Sequence, residues 1–264
     1  MVGVSLLTEA TGEPRGFVGQ FVDITAAKDA EAKRGEFLSH VSHELRSPLA
    51  VVHQFASLLI DEVGGPLSAD QRDFLTVLMR NAGQLKVMID DLLHVTRSDT
   101  GQVTVTCGAM SLDVVLTEAS DAYLWDAKRR RITLTLEHGE LPIVVADGDR
   151  VREVLANLLD NALKFTPDGG HVTLGATPQG ESVCVSVRDT GRGLAPGDHD
   201  RIFERFFQAE NNGEERRNGL GLGVSICRDL VERQGGTIWA SDNPGPGTAV
   251  SFTLPILGSH HGAR

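Results

Sequence analysis

The chain has 264 residues, of which 41% are hydrophobic, so it is long enough to bury ordinary cores and to form about two domains. Its formal net charge of −11 argues against a nucleic-acid-binding surface, and its three widely spaced cysteines lack the pattern of a disulfide framework or a zinc site. No apolar run reaches the roughly 18 residues of a membrane span, and the first residues lack the pattern of a signal peptide. We therefore expect no direct membrane contact by this chain. We expect it to be cytoplasmic, either by itself or as the cytoplasmic part of a larger membrane-bound protein.

Residues 1–25 are predicted to be the last strands of an incomplete domain. Residues 16–24 are apolar and β-branched with glycine at the margins, and the residues before them can supply a second strand. Two strands alone are marginal in water, which indicates that the body of this domain lies elsewhere. The ending Asp23-Ile24-Thr25, running directly into a helix, resembles the last strand of a PAS sensor domain.

A helical hairpin is predicted next, with residues 26–36 as a connecting helix and 37–100 as a hairpin. Gly64-Gly65-Pro66 ends the first helix, and Ser68 with Gln71 forms a capping box that opens the second. Two helices cannot bury both of their apolar seams alone, so we expect a homodimer that forms a four-helix bundle. The seams repeat every three and four residues, at Leu38, Val41, Leu45, Pro48, Val52, Phe55 and Leu59, and at Leu75, Leu78, Ala82, Leu85, Ile89 and Leu92.

The stretch FLSHVSHELRSPL, residues 37–49, places a histidine on the outer face of the first helix. With Leu38 at heptad position a, His43 falls at f, farthest from the seam. An exposed histidine alone usually does nothing. Glu44, however, follows it directly, and a carboxylate bonded to one ring nitrogen leaves the other nitrogen free as a nucleophile. His40 is also outward, at c, but lacks a following acid.

Residues 101–110 are predicted to be a linker, 111–257 an α+β domain and 258–264 a flexible tail. Helices are predicted at 112–128, at 150–164 with Asp149 as the N-cap, and at 222–234. Strands are predicted at 132–137, 171–176, 182–188, 237–240 and 249–254, several with period-two alternation.

Three features of this domain suit a nucleotide. Asn157 and Asn161 lie four residues apart on one helical face, where two amide oxygens can ligate Mg²⁺, and Lys164 adds a charge for phosphates. Asp189 follows a strand and precedes Gly191 and Gly193, so it can accept a hydrogen bond from adenine. The glycines at 219, 221 and 223 open a helix whose backbone amides can face phosphates. Each feature alone also occurs as a solvated pair or an ordinary turn.

The stretch Ser42-His43-Glu44-Leu45-Arg46-Ser47-Pro48-Leu49 resembles the H box of bacterial sensor histidine kinases. The resemblance implies that His43 is the phosphoacceptor, that Glu44 is its general base and that Ser47 helps to orient water in phosphatase chemistry. The family more often has Thr or Asn at the position of Ser47.

In order along the chain, NLLDNALKFTP, DTGRGL, IFERFFQ, GLGLGVSI and GPGT resemble the N, G1, F, G2 and G3 boxes of the histidine kinase catalytic domain. The resemblance implies a Bergerat fold, an α+β two-layer sandwich with a mixed sheet that binds ATP and Mg²⁺. Residues 208–218 would be the ATP lid, and Leu220 and Asn218 depart from the usual Thr or Ser and Gly. The implied assignments are metal ligation by Asn161 and Asn157, phosphate contact by Lys164 and by Arg216 or Arg217, adenine recognition by Asp189, and further nucleotide contacts at Phe165, Gly191, Gly193, Gly219, Gly221, Gly223 and Thr248.

Related ATPases of the gyrase and mismatch-repair families have a water-activating Glu where this chain has Asn157. An amide cannot take that proton, so slow hydrolysis and transfer to histidine are favoured. We therefore predict an ATP-dependent protein-histidine kinase whose partner is the receiver domain of a response regulator. The alternatives are a dimeric module that binds ATP without catalysis and an ATPase.

Overall fold

The computed structural model describes residues 2–8, 14–21, 23, 25–99, 103–209 and 220–258. Its elements fall into three groups: a two-stranded ribbon, a helical hairpin and an α+β domain. In chain order they are β1 Val2–Thr8, β2 Pro14–Phe21, α1 Thr25–Ile60, α2 Ala69–Asp99, β3 Gly108–Met110, α3 Leu112–Arg129, β4 Thr133–His138, β5 Val144–Ala146, α4 Gly148–Phe165, β6 His171–Gln179, β7 Ser182–Asp189, α5 Asp198–Arg201, α6 Gly223–Glu232, β8 Ile238–Asp242 and β9 Thr248–Pro255.

The ribbon consists of β1 and β2, which pair antiparallel with Val2 opposite Phe21. This is the two-stranded arrangement expected for the first 25 residues, although β2 begins at Pro14, two residues earlier than predicted. The assignment of this ribbon to a PAS domain stays a prediction.

The hairpin is formed by α1 and α2, two long helices joined by a turn at residues 61–68. The predicted capping box is confirmed, since Ser68 N donates to Gln71 Oε1 at 2.9 Å and Gln71 N donates to Ser68 Oγ at 3.2 Å. Helix α1 continues through Pro48 without interruption. An ion pair between Arg46 and Asp90 connects the two helices.

Several large apolar side chains of the hairpin face outward in the single chain. Phe55 is 62% exposed, Leu59 44%, Leu78 41% and Leu85 47%, and all four belong to the predicted seams. Ala82 and Ile89 of the second seam are buried, at 7% and 5%. One copy of the hairpin thus covers only part of its apolar surface, as expected from the sequence, where two helices alone cannot bury both seams.

The α+β domain is a five-stranded mixed sheet in the order β4-β6-β7-β9-β8, with α3, α4 and α6 packed on it. Strands β4 and β6 are parallel and the other neighbours are antiparallel. Phe252 and Leu254 of β9 and Leu155 and Leu159 of α4 lie in one core and are fully buried. The predicted two-layer sandwich with a mixed sheet is confirmed.

Three short elements were not predicted. Strands β3 and β5 pair antiparallel, so the last three residues of the predicted linker belong to a small second sheet. Helix α5 has only four residues.

The predicted cap of α4 was wrong: Asp147, not Asp149, is the N-cap, because its extended backbone lets the carboxylate accept from Asp149 N and Arg150 N.

The last turns of α2 lie against the α+β domain. Val95 of α2 is buried in the same core as α3, α4 and α6. Arg233, the C-cap of α6, donates through Nη2 to Ser98 O at 3.4 Å and to Ser98 Oγ at 3.2 Å. The hairpin is therefore joined to the domain by direct packing as well as by the chain. None of the described helices is long and apolar enough to span a membrane.

Candidate active site

The first part of the candidate site lies on α1. Glu44 and Ser47 are both exposed, and Ser47 lies four residues beyond His43, one turn further along the helix. The backbone of His43 is helical, whereas its side chain lies outside the described part of the structure. Next to Ser47, Arg46 pairs with Asp90 of α2.

The second part is one face of α4. The helix buries its apolar stripe, and this places the predicted polar residues beside the core rather than in it. Asn157 and Asn161 are half-buried, and Lys164 is more exposed than either. Asn157 Nδ2 donates to Glu153 O at 3.1 Å. The amide is thereby oriented with its oxygen turned away from that carbonyl.

The oxygen of Asn157 lies against the start of α6. A Cβ added at Gly223 would lie 2.6 Å from Asn157 Oδ1, far inside normal contact, so only glycine leaves this oxygen in place. A carboxamide oxygen is a suitable ligand for Mg²⁺, and the fixed orientation of Asn157 fits that role. Asn161 follows on the same helical face.

Two cations flank the Phe165 ring at the end of α4. Lys164 Nζ lies 4.9 Å and Arg192 Cζ 4.8 Å from the ring centroid. Partial burial, and secondly the Arg192 guanidinium, hold the pKa of the Lys164 ammonium below its ordinary value. Arg192 was not among the predicted site residues, although it stands in the DTGRGL motif.

Asp189 ends β7 and is held by backbone amides on two sides. Its Oδ1 accepts from Gly191 N at 2.8 Å and from Thr248 N at 3.3 Å, which brings the predicted residues Asp189, Gly191 and Thr248 together. Burial raises the pKa of Asp189 in spite of these hydrogen bonds. Both amides use one oxygen, and among the described residues no hydrogen bond reaches Oδ2, which can accept from a further donor.

The remaining glycines lie around these residues. Gly193 has φ 76° and faces the backbone of Gly247, and Gly221 has φ 71° with its carbonyl accepting from Phe206 N at 2.9 Å. Gly223 is the first residue of α6. The predictions for Arg216, Arg217 and Gly219, and for most of the lid at 208–218, fall on residues 210–219, outside the described residues.

Sequence reasoning missed a cluster of charged groups where α2 meets the α+β domain. His94 is 10% exposed, with Nε2 3.4 Å from Asp229 Oδ2 and Nδ1 3.7 Å from Glu153 Oε1. Burial lowers the pKa of His94 in spite of these carboxylates, and burial, with Asp90 and Glu153, raises the pKa of Asp91 to about 6. Nothing in the periodicity of α2 signals which of its residues meet another domain.

Comparison with known proteins finds two matching families. Residues 33–101 match the family described as His Kinase A (phospho-acceptor) domain, and residues 146–258 match Histidine kinase-, DNA gyrase B-, and HSP90-like ATPase. The alginate biosynthesis sensor protein KinB of Pseudomonas aeruginosa is 32% identical over 95% of this chain, and the sensor histidine kinase WalK of Bacillus subtilis is 28% identical over 96%. The chain spans 42% of the length of each of these two relatives.

Among solved structures, full-length ShkA in complex with AMPPNP is similar over 84% of this chain and 46% of ShkA, with a TM-score of 0.68 and 31% identity. The two family matches cover the helical hairpin and most of the α+β domain in their order along the chain.

Proposed function

The chain belongs to the histidine kinase family, and on that basis we propose that it transfers the γ-phosphoryl group of Mg-ATP to His43 and then to an aspartate in the receiver domain of a response regulator. The observation that carries the proposal is that α4 brings the predicted residues together: the Asn157 oxygen lies against Gly223, and Gly191, whose amide donates to Asp189, packs closely on the Phe165 carbonyl at the end of α4. These residues belong to the same chain as the phosphoacceptor hairpin.

The proposed first step is a direct displacement. The ring nitrogen of His43 that carries the lone pair attacks the γ-phosphorus and forms the P–N bond. The bond to the β–γ bridging oxygen breaks, and ADP leaves with its electron pair. The proton on the other ring nitrogen passes to Glu44, whose exposed position on α1 leaves it accessible.

The residues of the α+β domain bind and orient ATP. We assign adenine recognition to the free oxygen of Asp189, phosphate contact to Lys164, and metal ligation to the oxygens of Asn157 and Asn161. Bound Mg²⁺ supplies charge neutralisation on the phosphates. Asn157 cannot serve as a base, because its side chain is an amide and its Nδ2 is occupied with the Glu153 carbonyl.

The homodimer belongs to the same proposal. Phe55, Leu59, Leu78 and Leu85 are exposed in the single chain and repeat at the spacing of a helical seam, so a second hairpin is the partner whose shape and chemistry fit them. Because ATP and receiver domains are found inside the cell, we place the reaction in the cytoplasm.

The test is phosphorylation with γ-labelled ATP. His43→Gln is expected to abolish acid-labile label, whereas His40→Gln, the matched control three residues earlier on the same helix, retains it. Label that persists on His43→Gln contradicts the assignment of the phosphoacceptor. Wild-type protein that binds ATP and never becomes labelled supports a non-catalytic ATP-binding module instead.

A further inference from the structure

The loop between β8 and β9 reaches back to the end of β7. Asn243, the first residue after β8, donates through Nδ2 to Asp189 O at 2.9 Å and to Pro246 O at 3.4 Å. Its own N donates to Gly247 O at 3.3 Å, so the loop is closed on itself. A single amide side chain thus connects the loop to Asp189, the residue to which we assign adenine recognition.

The same loop approaches Asp189 at two further points. Gly247 packs so closely on the Asp189 carbonyl that a Cβ there would overlap its oxygen, and Thr248 N donates to Asp189 Oδ1 at 3.3 Å. Asn243, in the loop, and Thr248, the first residue of β9, come 54 and 59 positions after Asp189 in the chain. Among the described residues, Asn243 supplies the only side-chain hydrogen bond to Asp189.

We propose that Asn243 is a positioning residue that sets the discrimination between adenine and guanine nucleotides, an inference that rests on the proposed function. By fixing the main-chain carbonyl of Asp189, Asn243 keeps Oδ1 on the Gly191 and Thr248 amides and leaves Oδ2 for the base. A carboxylate accepts a hydrogen bond from the adenine amino group and repels the oxygen that guanine carries at the same place.

The chemistry of the side chain matches this role. The Asp189 carbonyl accepts from Asn243 Nδ2, and an amide side chain can supply this N–H without carrying a charge. Asp in its place cannot donate at neutral pH and adds a negative charge next to the Asp189 backbone. If Asn243 had only a structural role, its replacement would lower the free energy of unfolding without changing the preference for ATP over GTP, because both nucleotides carry the same triphosphate.

The experiment uses the full chain and measures dissociation constants for ATP, GTP and inorganic tripolyphosphate by displacement of a fluorescent nucleotide. Asn243→Ala is expected to weaken ATP binding about five- to tenfold, the equivalent of one hydrogen bond, and to leave GTP and tripolyphosphate within about twofold. Asn243→Asp keeps the size of the side chain and is expected to weaken ATP binding further. Asp242→Asn is the matched control, since Asp242 pairs with His199 and not with Asp189, and it should change none of the three constants.

The possible results separate the two levels of the proposal. If the wild-type chain does not bind ATP in preference to GTP, the adenine site of the proposed function is wrong. If the wild-type chain shows that preference and both Asn243 variants retain it in full, only the positioning role is overturned. An equal loss of affinity for all three ligands also overturns it, because the effect is then on the fold.

Discussion

Replacing Gly223 by alanine tests whether the position of the Asn157 amide controls phosphoryl transfer. The new Cβ would lie 2.6 Å from Asn157 Oδ1, whereas ordinary contact begins at 3.4 Å, so the oxygen must move by about 0.8 Å. That movement also strains the Nδ2 bond to Glu153 O. A misplacement of about 1 Å near the reacting groups costs on the order of a hundredfold, so we expect the initial rate of autophosphorylation to fall roughly 10- to 100-fold.

The assay is incorporation of γ-labelled phosphate at saturating Mg-ATP, with thermal unfolding followed in parallel. Gly139→Ala is the matched control, since nothing lies within 4 Å of a Cβ there, and it should leave the rate unchanged. The decisive comparison is a double-mutant cycle with Asn157→Ala. If Gly223→Ala acts through the Asn157 oxygen, it adds little further loss once that oxygen is gone. A rate within twofold of the wild type, or full additivity in the cycle, refutes this reasoning.

Three further predictions concern the hairpin and its contacts. Ser68→Ala removes the capping box and should lower the unfolding free energy by about 1 kcal/mol, measured by chemical denaturation, whereas an unchanged midpoint contradicts the cap. Asp91→Asn should stabilise the chain at pH 7.5. Because the pKa of Asp91 is raised in the folded state, ionised Asp91 destabilises the fold as the pH rises from about 4 to 6; the full shift corresponds to about 3 kcal/mol, and solvent screening of a partly exposed carboxylate reduces this to about 1 kcal/mol. The gain in unfolding free energy should therefore vanish toward pH 4. Phe55→Asp should convert the proposed dimer to a monomer in sedimentation, while Phe74→Asp, at a position that is more exposed but outside the seam, should not. A dimer that survives Phe55→Asp contradicts the proposed bundle.

The features that the sequence predicts well are those that depend on neighbours along the chain. The capping box at Ser68 needs only Gln71, three residues on, and the polar face of α4 follows from the helical spacing of Asn157 and Asn161. The choice between Asp147 and Asp149 as the cap of α4 was beyond this reasoning, because both are acids that can cap and only the backbone conformation separates them.

The features that it could not predict depend on residues far apart in the chain. The bond from Asn243 to Asp189 spans 54 residues, and an Asn before a Pro-Gly loop is otherwise typical of a simple turn. Strands β3 and β5 have three residues each, too few for a period-two pattern to be distinguished from a loop. The contacts of His94 depend on which face of α2 the second domain covers, and local propensity carries no information on that choice.

The two helices that fix the proposed metal ligand Asn157 also touch the hairpin. On α4, the Glu153 carbonyl accepts from Asn157 while its carboxylate lies 3.7 Å from His94. On α6, Gly223 lies against Asn157, and Asp229, fewer than two turns further on, lies 3.4 Å from His94. Both neighbours that fix the Asn157 amide therefore belong to helices in direct contact with α2. Because a helix moves as a unit over such short lengths, the packing of α2 and the orientation of the proposed metal ligand are physically connected. A double-mutant cycle on His94 and Asn157 measures the coupling free energy between them.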